Sequence, residues 1–153
     1  MSQFDAYLHE VLERAGHEAA RDASATIEAH HLLLAVAAGH EPALTSAGLG
    51  YEALKDALRR EFEHSLGVAG VTTAAFDLPP ATPDLSRRPQ LGASVKVALD
   101  RMVRSHRKKD LRPGHLLIGI LQAEVGTVPR ALALAGVDRA ELVERVRSEL
   151  PGQ

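Results

Sequence analysis

The segment His31-Leu32-Leu33-Leu34-Ala35-Val36 returns as His115-Leu116-Leu117-Ile118-Gly119-Ile120, 84 positions later. A single short apolar match carries little weight, but both flanks return with it. Downstream, Ala47-Gly48-Leu49 with Leu54, Leu58 and Phe62 matches Ala135-Gly136-Val137 with Leu142, Val146 and Leu150, a shift of 88. Upstream, Phe4, Leu8, Leu12 and Ala15 match Leu91, Val95, Leu99 and Met102, a shift of 87. The three shifts describe one order of segments with a three-residue deletion and a four-residue insertion, both at expected loops. A repeat of this kind constrains the architecture more than any local propensity does.

The 153 residues suit one compact domain or two small ones that share a core. Apolar residues are 45% of the chain but aromatic ones only 3%, so Leu, Val and Ala must fill that core. This composition favours closely packed helices. A formal charge of -2 argues against a dedicated nucleic-acid binder. There is no cysteine, hence no disulfide framework, thiolate metal site or cysteine nucleophile. No signal-peptide pattern opens the chain, and no apolar run approaches the roughly 20 residues that span a bilayer. The expectation is a soluble cytoplasmic protein.

Phe4, Leu8, Val11, Leu12, Ala15 and Ala19 recur at helical spacing and predict a first helix from near Asp5, taken as its cap, to Arg21. A buried helix follows from about Glu28 to Ala38, then a short one over Glu41–Ala47. A longer helix runs from Tyr51 to Leu66, with Leu54, Leu58 and Phe62 on one face. Residues 67–90 read as a linker: Val68–Ala75 has some strand character, four prolines exclude regular structure after it, and Phe76 and Leu78 are expected on the core. The second set starts at Leu91-Gly92. Its first helix carries Val95, Leu99, Met102 and Val103 and ends in the basic run Arg107-Lys108-Lys109. A buried helix over His115–Ala123, a short one from near Pro129 to Gly136, and a last one capped by Asp138 complete it. The prediction is an all-α fold of eight helices, in two pseudo-twofold-related repeats (4–66 and 91–150) that form a single domain over 1–153. Each set is too small to bury its apolar faces alone.

Two helical repeats, each with an apolar start, a His-Leu-Leu run and an Ala-Gly-Leu/Val stop, resemble the Clp amino-terminal domain. That domain is the duplicated substrate- and adaptor-binding module of the ClpA, ClpB and ClpC unfoldases, and the ClpC type is the nearest in character. Ile27-Glu28-Ala29-His30-His31-Leu32-Leu33-Leu34-Ala35 stands where the family has Ile-Gly-Thr-Glu-His-Ile-Leu-Leu-Gly. The likeness spans about residues 4–150 and implies the same two-repeat fold, protein or peptide partners and no catalysis. In ClpC relatives the Glu before each repeated His helps to bind phosphoarginine. Here those positions are His30 and Gly114, and neither supplies a carboxylate for a guanidinium. In actinobacterial relatives, cyclic-peptide antibiotics bind beside the first helix of the second repeat. Leu91 replaces an aromatic residue there, while Lys96 and Asp100 keep the family's charge character. No Gly-x-x-x-x-Gly-Lys-Ser/Thr loop occurs, so the chain carries no ATP-driven motor and reads as a free-standing copy of the domain or a fragment.

Three chemical readings compete with a plain scaffold. The repeated His31 and His115 fit ligands or acid–base groups, but their equivalent positions favour structural hydrogen bonds to backbone or across the repeats. His9, Glu13 and His17 line one helix face, and His30-His31 adds a pair, which keeps open a metal- or small-molecule-binding enzyme. That helix face spans over two turns, too far for one ion without further ligands. Arg101–Arg112 is basic and suits an acidic partner or a nucleic-acid-associated regulator, against the simpler reading of cations at a helix C-terminus. No nucleophile elbow or other hydrolytic signature is present. The expectation is therefore a binding module with no catalytic residues, metal or cofactor. Its surface involves Phe4, Leu91, Lys96 and Asp100. Its partner is a Clp unfoldase, adaptor, substrate or cyclic peptide, with no membrane and no nucleic-acid role.

Overall fold

The computed structural model describes residues 2–70 and 88–151. These residues hold eight α-helices: α1 Gln3–Arg21, α2 Ala29–Ala38, α3 Pro42–Ser46 and α4 Tyr51–Val68, then α5 Ala93–Ser105, α6 Pro113–Leu121, α7 Thr127–Leu134 and α8 Arg139–Ser148. Two short strands, β1 Thr26–Ile27 and β2 Gln90–Leu91, pair in parallel with Ile27 opposite Leu91. This pairing ties the chain ahead of α5 to the α1–α2 connection.

The core follows from α2 and α6. Both are apolar on nearly every side, and residues 31–37 and 114–121 are all buried. A helix apolar all round must be covered all round. α1 packs on α2 and α5 on α6, while α4 and α8 close the outer sides. Leu32, Leu33, Leu44 and Leu54 of the first set and Leu116, Leu117, Ile120 and Leu132 of the second belong to one continuous cluster. In the second set the close approach rests on Gly119. A Cβ there would meet the Ala98 carbonyl oxygen at 2.6 Å, whereas the first set carries Ala35 at the matching position.

Several boundaries depart from the sequence expectation. α1 begins two residues before Asp5 because Ser2 is its cap. Ser2 Oγ accepts the Asp5 N–H (3.1 Å), and Asp5 Oδ2 accepts the Ser2 N–H (3.2 Å), a reciprocal pair that places Asp5 inside the first turn. α5 ends at Ser105 instead of in the basic run, and Lys108–Asp110 forms a separate 3-10 turn. The last helix does start at Asp138, whose Oδ1 accepts the Glu141 N–H at 3.1 Å.

Two face assignments change as well. Phe62 is 56% exposed, and the buried stripe of α4 runs instead through Leu54, Ala57 and Glu61. Glu61 tolerates this because Arg130 of α7 donates to it (2.9 Å), as does Ser65 Oγ (2.7 Å). Val103 is likewise exposed, and α5 buries Val95, Ala98 and Met102. The placement of Phe76 and Leu78 on the core falls outside the described residues, as does most of the strand reading over Val68–Ala75, whose first residue ends α4. Among the described residues no helix is long and apolar enough to cross a membrane.

Candidate binding site

An apolar groove of about 600 Å³ runs between α5, the start of α2 and the α6–α7 connection. Its wall on α5 is built by Ala93, Val97, Ala98 and Arg101, a stripe set by helical spacing. Ala123, Val125 and Pro129 face it from the other side. Val97 is 47% exposed and Val125 84%, so both present apolar surface to solvent.

One end of the groove is closed by a polar clasp between the two helical sets. Ser94 Oγ, at the start of α5, donates to Glu28 Oε1 (2.6 Å) and accepts the Ala29 N–H (2.8 Å). Thr26 Oγ1 donates to Glu28 Oε2 at 2.6 Å. Desolvation would raise the Glu28 pKa, but the hydrogen bonds from Ser94 and Thr26 outweigh it and hold the carboxyl below its usual range. The carboxylate occupies the space over Gly92, where a Cβ would lie 2.0 Å from Glu28 Oε2. Glu28 and Gly92 are therefore a matched pair.

Of the residues expected from sequence, Leu91, Lys96 and Asp100 share one region. Leu91, 37% exposed, lies on β2 beside Ile27. Lys96 and Asp100 are exposed one turn apart on α5, on the strip flanking Val97 and Arg101, with Asp100 paired to Arg104 at 3.1 Å. Phe4 lies elsewhere, in the first turn of α1, against Tyr7 with ring centroids 6.0 Å apart. Its neighbour Asp5 faces Lys108 of the α5–α6 connection at 3.6 Å. Ile27, beside Leu91, reaches instead the level of Gly16, roughly 18 Å along α1 from Phe4. The clasp and Val125 were not among the expected residues.

The histidines divide into structural and exposed groups. His31 and His115 both stand at the third position of a buried helix. Nδ1 of each accepts a backbone N–H, from Glu28 at 3.0 Å and from Arg112 at 2.8 Å. His31 Nε2 donates to Asp22 Oδ2 at 2.9 Å, and this bond is the leading cause that lowers the Asp22 pKa. The His30 ring lies against that of His31, tilted by 43° with centroids 4.0 Å apart. Burial, reinforced by the neighbouring His31, pushes its pKa down to about 4, so it is uncharged at neutral pH. Gly114, the counterpart of His30, is covered by α8, and a Cβ there would meet Leu150 Cδ2 at 2.8 Å. No carboxylate stands at either place.

Among the described residues, one set of three His, Asp or Glu side chains comes within metal-binding reach: Asp22, His30 and His31. Both ring nitrogens of His31 are already engaged, so the donors left for an ion are His30 and the second Asp22 oxygen. His9, Glu13 and His17 lie exposed along α1. The basic stretch is tied to its own chain. Arg101 donates to the Gly119 carbonyl (3.2 Å), Arg104 pairs with Asp100, and Arg112 donates to the Lys109 and Leu111 carbonyls. A second hollow, about 460 Å³ between α1, the end of α2 and α4, has a more polar character. Its Glu18 is bound by Tyr51 Oη at 2.5 Å and Arg21 at 3.2 Å.

Among the described residues, six helices surround two wholly buried ones, each opening on a histidine whose Nδ1 accepts the N–H at its own helix start, and this is the all-helical fold of a Clp amino-terminal domain. A solved structure with this fold is the N-terminal domain of ClpD, the caseinolytic protease-associated chaperone of Arabidopsis thaliana. It matches with a TM-score of 0.64 and 18% sequence identity, over 94% of this chain and 92% of that one. At that identity the likeness speaks for the fold. No family model matches the sequence, and no curated protein matches it.

Proposed function

We propose that this chain is a non-catalytic module that binds an extended protein or peptide segment in the groove beside α5. It would serve as an accessory to a Clp unfoldase, or as a copy that sequesters the unfoldase's ligands. The observation that carries the reading is the exposed apolar pair Val97 and Val125 lining a groove of about 600 Å³. Leu91, Lys96 and Asp100 flank the groove and would contribute its rim, with Phe4 as a separate contact at the start of α1. The fold shared with the N-terminal domain of a Clp chaperone supports protein partners at the coarse level.

An array of unstructured peptides and the cognate unfoldase, probed with wild-type protein and with Val97→Asp and Val125→Asp, tests this. Both side chains are exposed, so the variants should fold. A charge placed on either groove wall is expected to weaken binding by about tenfold or more. Binding that is equally strong in both variants would remove the groove from the mechanism.

A further inference from the structure

His31 and His115 hold their helix starts in the same way, yet their second nitrogens fare differently. With Nδ1 accepting a backbone N–H, the ring proton of each resides on Nε2. In the first half that proton is donated to the carboxylate of Asp22, nine residues upstream. Nine residues upstream of His115 stands His106 instead. Its ring lies against that of His115, tilted by 46° with centroids 4.2 Å apart, and it brings no carboxylate. His115 is only 4% exposed, and its Nε2 has no hydrogen-bond partner among the described residues. A buried donor left unanswered bears the full cost of its desolvation.

His115 lines a cavity of about 60 Å³ together with Arg101, Ser105, His106, Gln122 and Arg147. That volume is several times the roughly 10–15 Å³ that one water needs, and it admits a small polar group. The donors in its lining are two guanidinium groups, a side-chain amide and the His115 Nε2–H, beside apolar Met102 and Ile118; the Ser105 hydroxyl already donates to the Met102 carbonyl at 2.7 Å. Among the described residues that line it there is no Asp or Glu. Arg101 gives one N–H to the Gly119 carbonyl, and Arg147 pairs with Glu144 at the surface. Each guanidinium has five N–H donors, so both keep others for an incoming anion.

We propose that this cavity binds a carboxylate group, so that a ligand supplies to His115 what Asp22 supplies to His31. The ligand class is an organic carboxylate, either a small free acid or the acidic side chain or C-terminus of a peptide. The inference stands apart from the groove beside α5, with which the cavity shares only Arg101.

The test is a titration of the full chain with sodium acetate, followed by side-chain nitrogen NMR of the histidines, against sodium chloride at matched ionic strength. A saturable shift of His115 Nε2 is expected, with His31 unmoved. Arg147→Ala, a change at the cavity rim, should weaken acetate by about tenfold. His106→Asp should abolish the response by placing a carboxylate within the chain, as in the first half. A peptide carrying a single Glu that competes with acetate would assign the site to peptides. Acetate binding without such competition would assign it to free acids. No saturable shift at His115, an equal shift with chloride, or a parallel shift at His31 would overturn the proposal.

Discussion

His30 shows how far one side chain can depart from what a resemblance to Clp amino-terminal domains implies for its position. It stands where a carboxylate would receive a guanidinium, yet it is packed against His31 and holds a pKa of about 4 against an ordinary value of 6.5. His31, Asp22, Glu28 and Glu61 are the groups that act on it electrostatically. The folded ring stays neutral where the unfolded ring is already protonated, so the unfolded state binds the extra proton between pH 6.5 and about 4. Stability must therefore be complete above pH 6.5 and fall as pH drops through that window, by an amount on the order of 3 kcal/mol. Urea unfolding across the window should show this slope in wild type and a much flatter one in His30→Gln. An unchanged slope would place the acid sensitivity elsewhere. Asp22 and Glu28, whose pKa values are lowered, add losses only at lower pH, as each falls through its folded pKa.

At the scale of elements, the distance between α5 and α6 is set by Gly119 against the Ala98 carbonyl. Gly119→Ala presses a methyl group onto backbone that cannot rotate away, and a loss of about 1–3 kcal/mol is expected, seen as a drop of several degrees in Tm. Gly67→Ala within α4, where a Cβ would meet nothing within 4 Å, should be neutral or stabilising by about 0.5 kcal/mol. Equal effects of the two changes would contradict close packing at Gly119. The order of the helices, the two buried ones and the histidines that open them were legible in the sequence, because periodicity and capping are local signals. The face of α4 was not. Glu61 is buried by virtue of Arg130, 69 residues away, and no local pattern announces such a partner. Ser2 and Asp5 are both good caps, and only their mutual bonds decide which one starts α1.

For the whole molecule, the site is assembled from segments that the sequence keeps apart. Glu28 meets Ser94 across 66 residues and fills the space over Gly92, so Glu28 in place of the family's Gly reads as an isolated departure until the fold joins it to its partner. Val97 lies off the core face of α5, and Val125 lies in a connection between Glu124 and Gly126. Each is unremarked alone, and together they form two walls of one groove. Leu91, Lys96 and Asp100 are close in the chain, and the fold sets Leu91 on β2 and Lys96 and Asp100 on α5, while Phe4 stays at the far part of α1. The duplicated His-Leu-Leu segments provide the frame on which these pieces converge. The most direct test of the binding role is backbone NMR of the protein titrated with an unstructured apolar peptide selected from an array. The expected result is a contiguous set of shifts at Ala93, Val97, Ala123, Val125 and Thr127, saturating with one peptide per chain. Shifts that avoid these residues, or no saturable shift with any peptide, would contradict it.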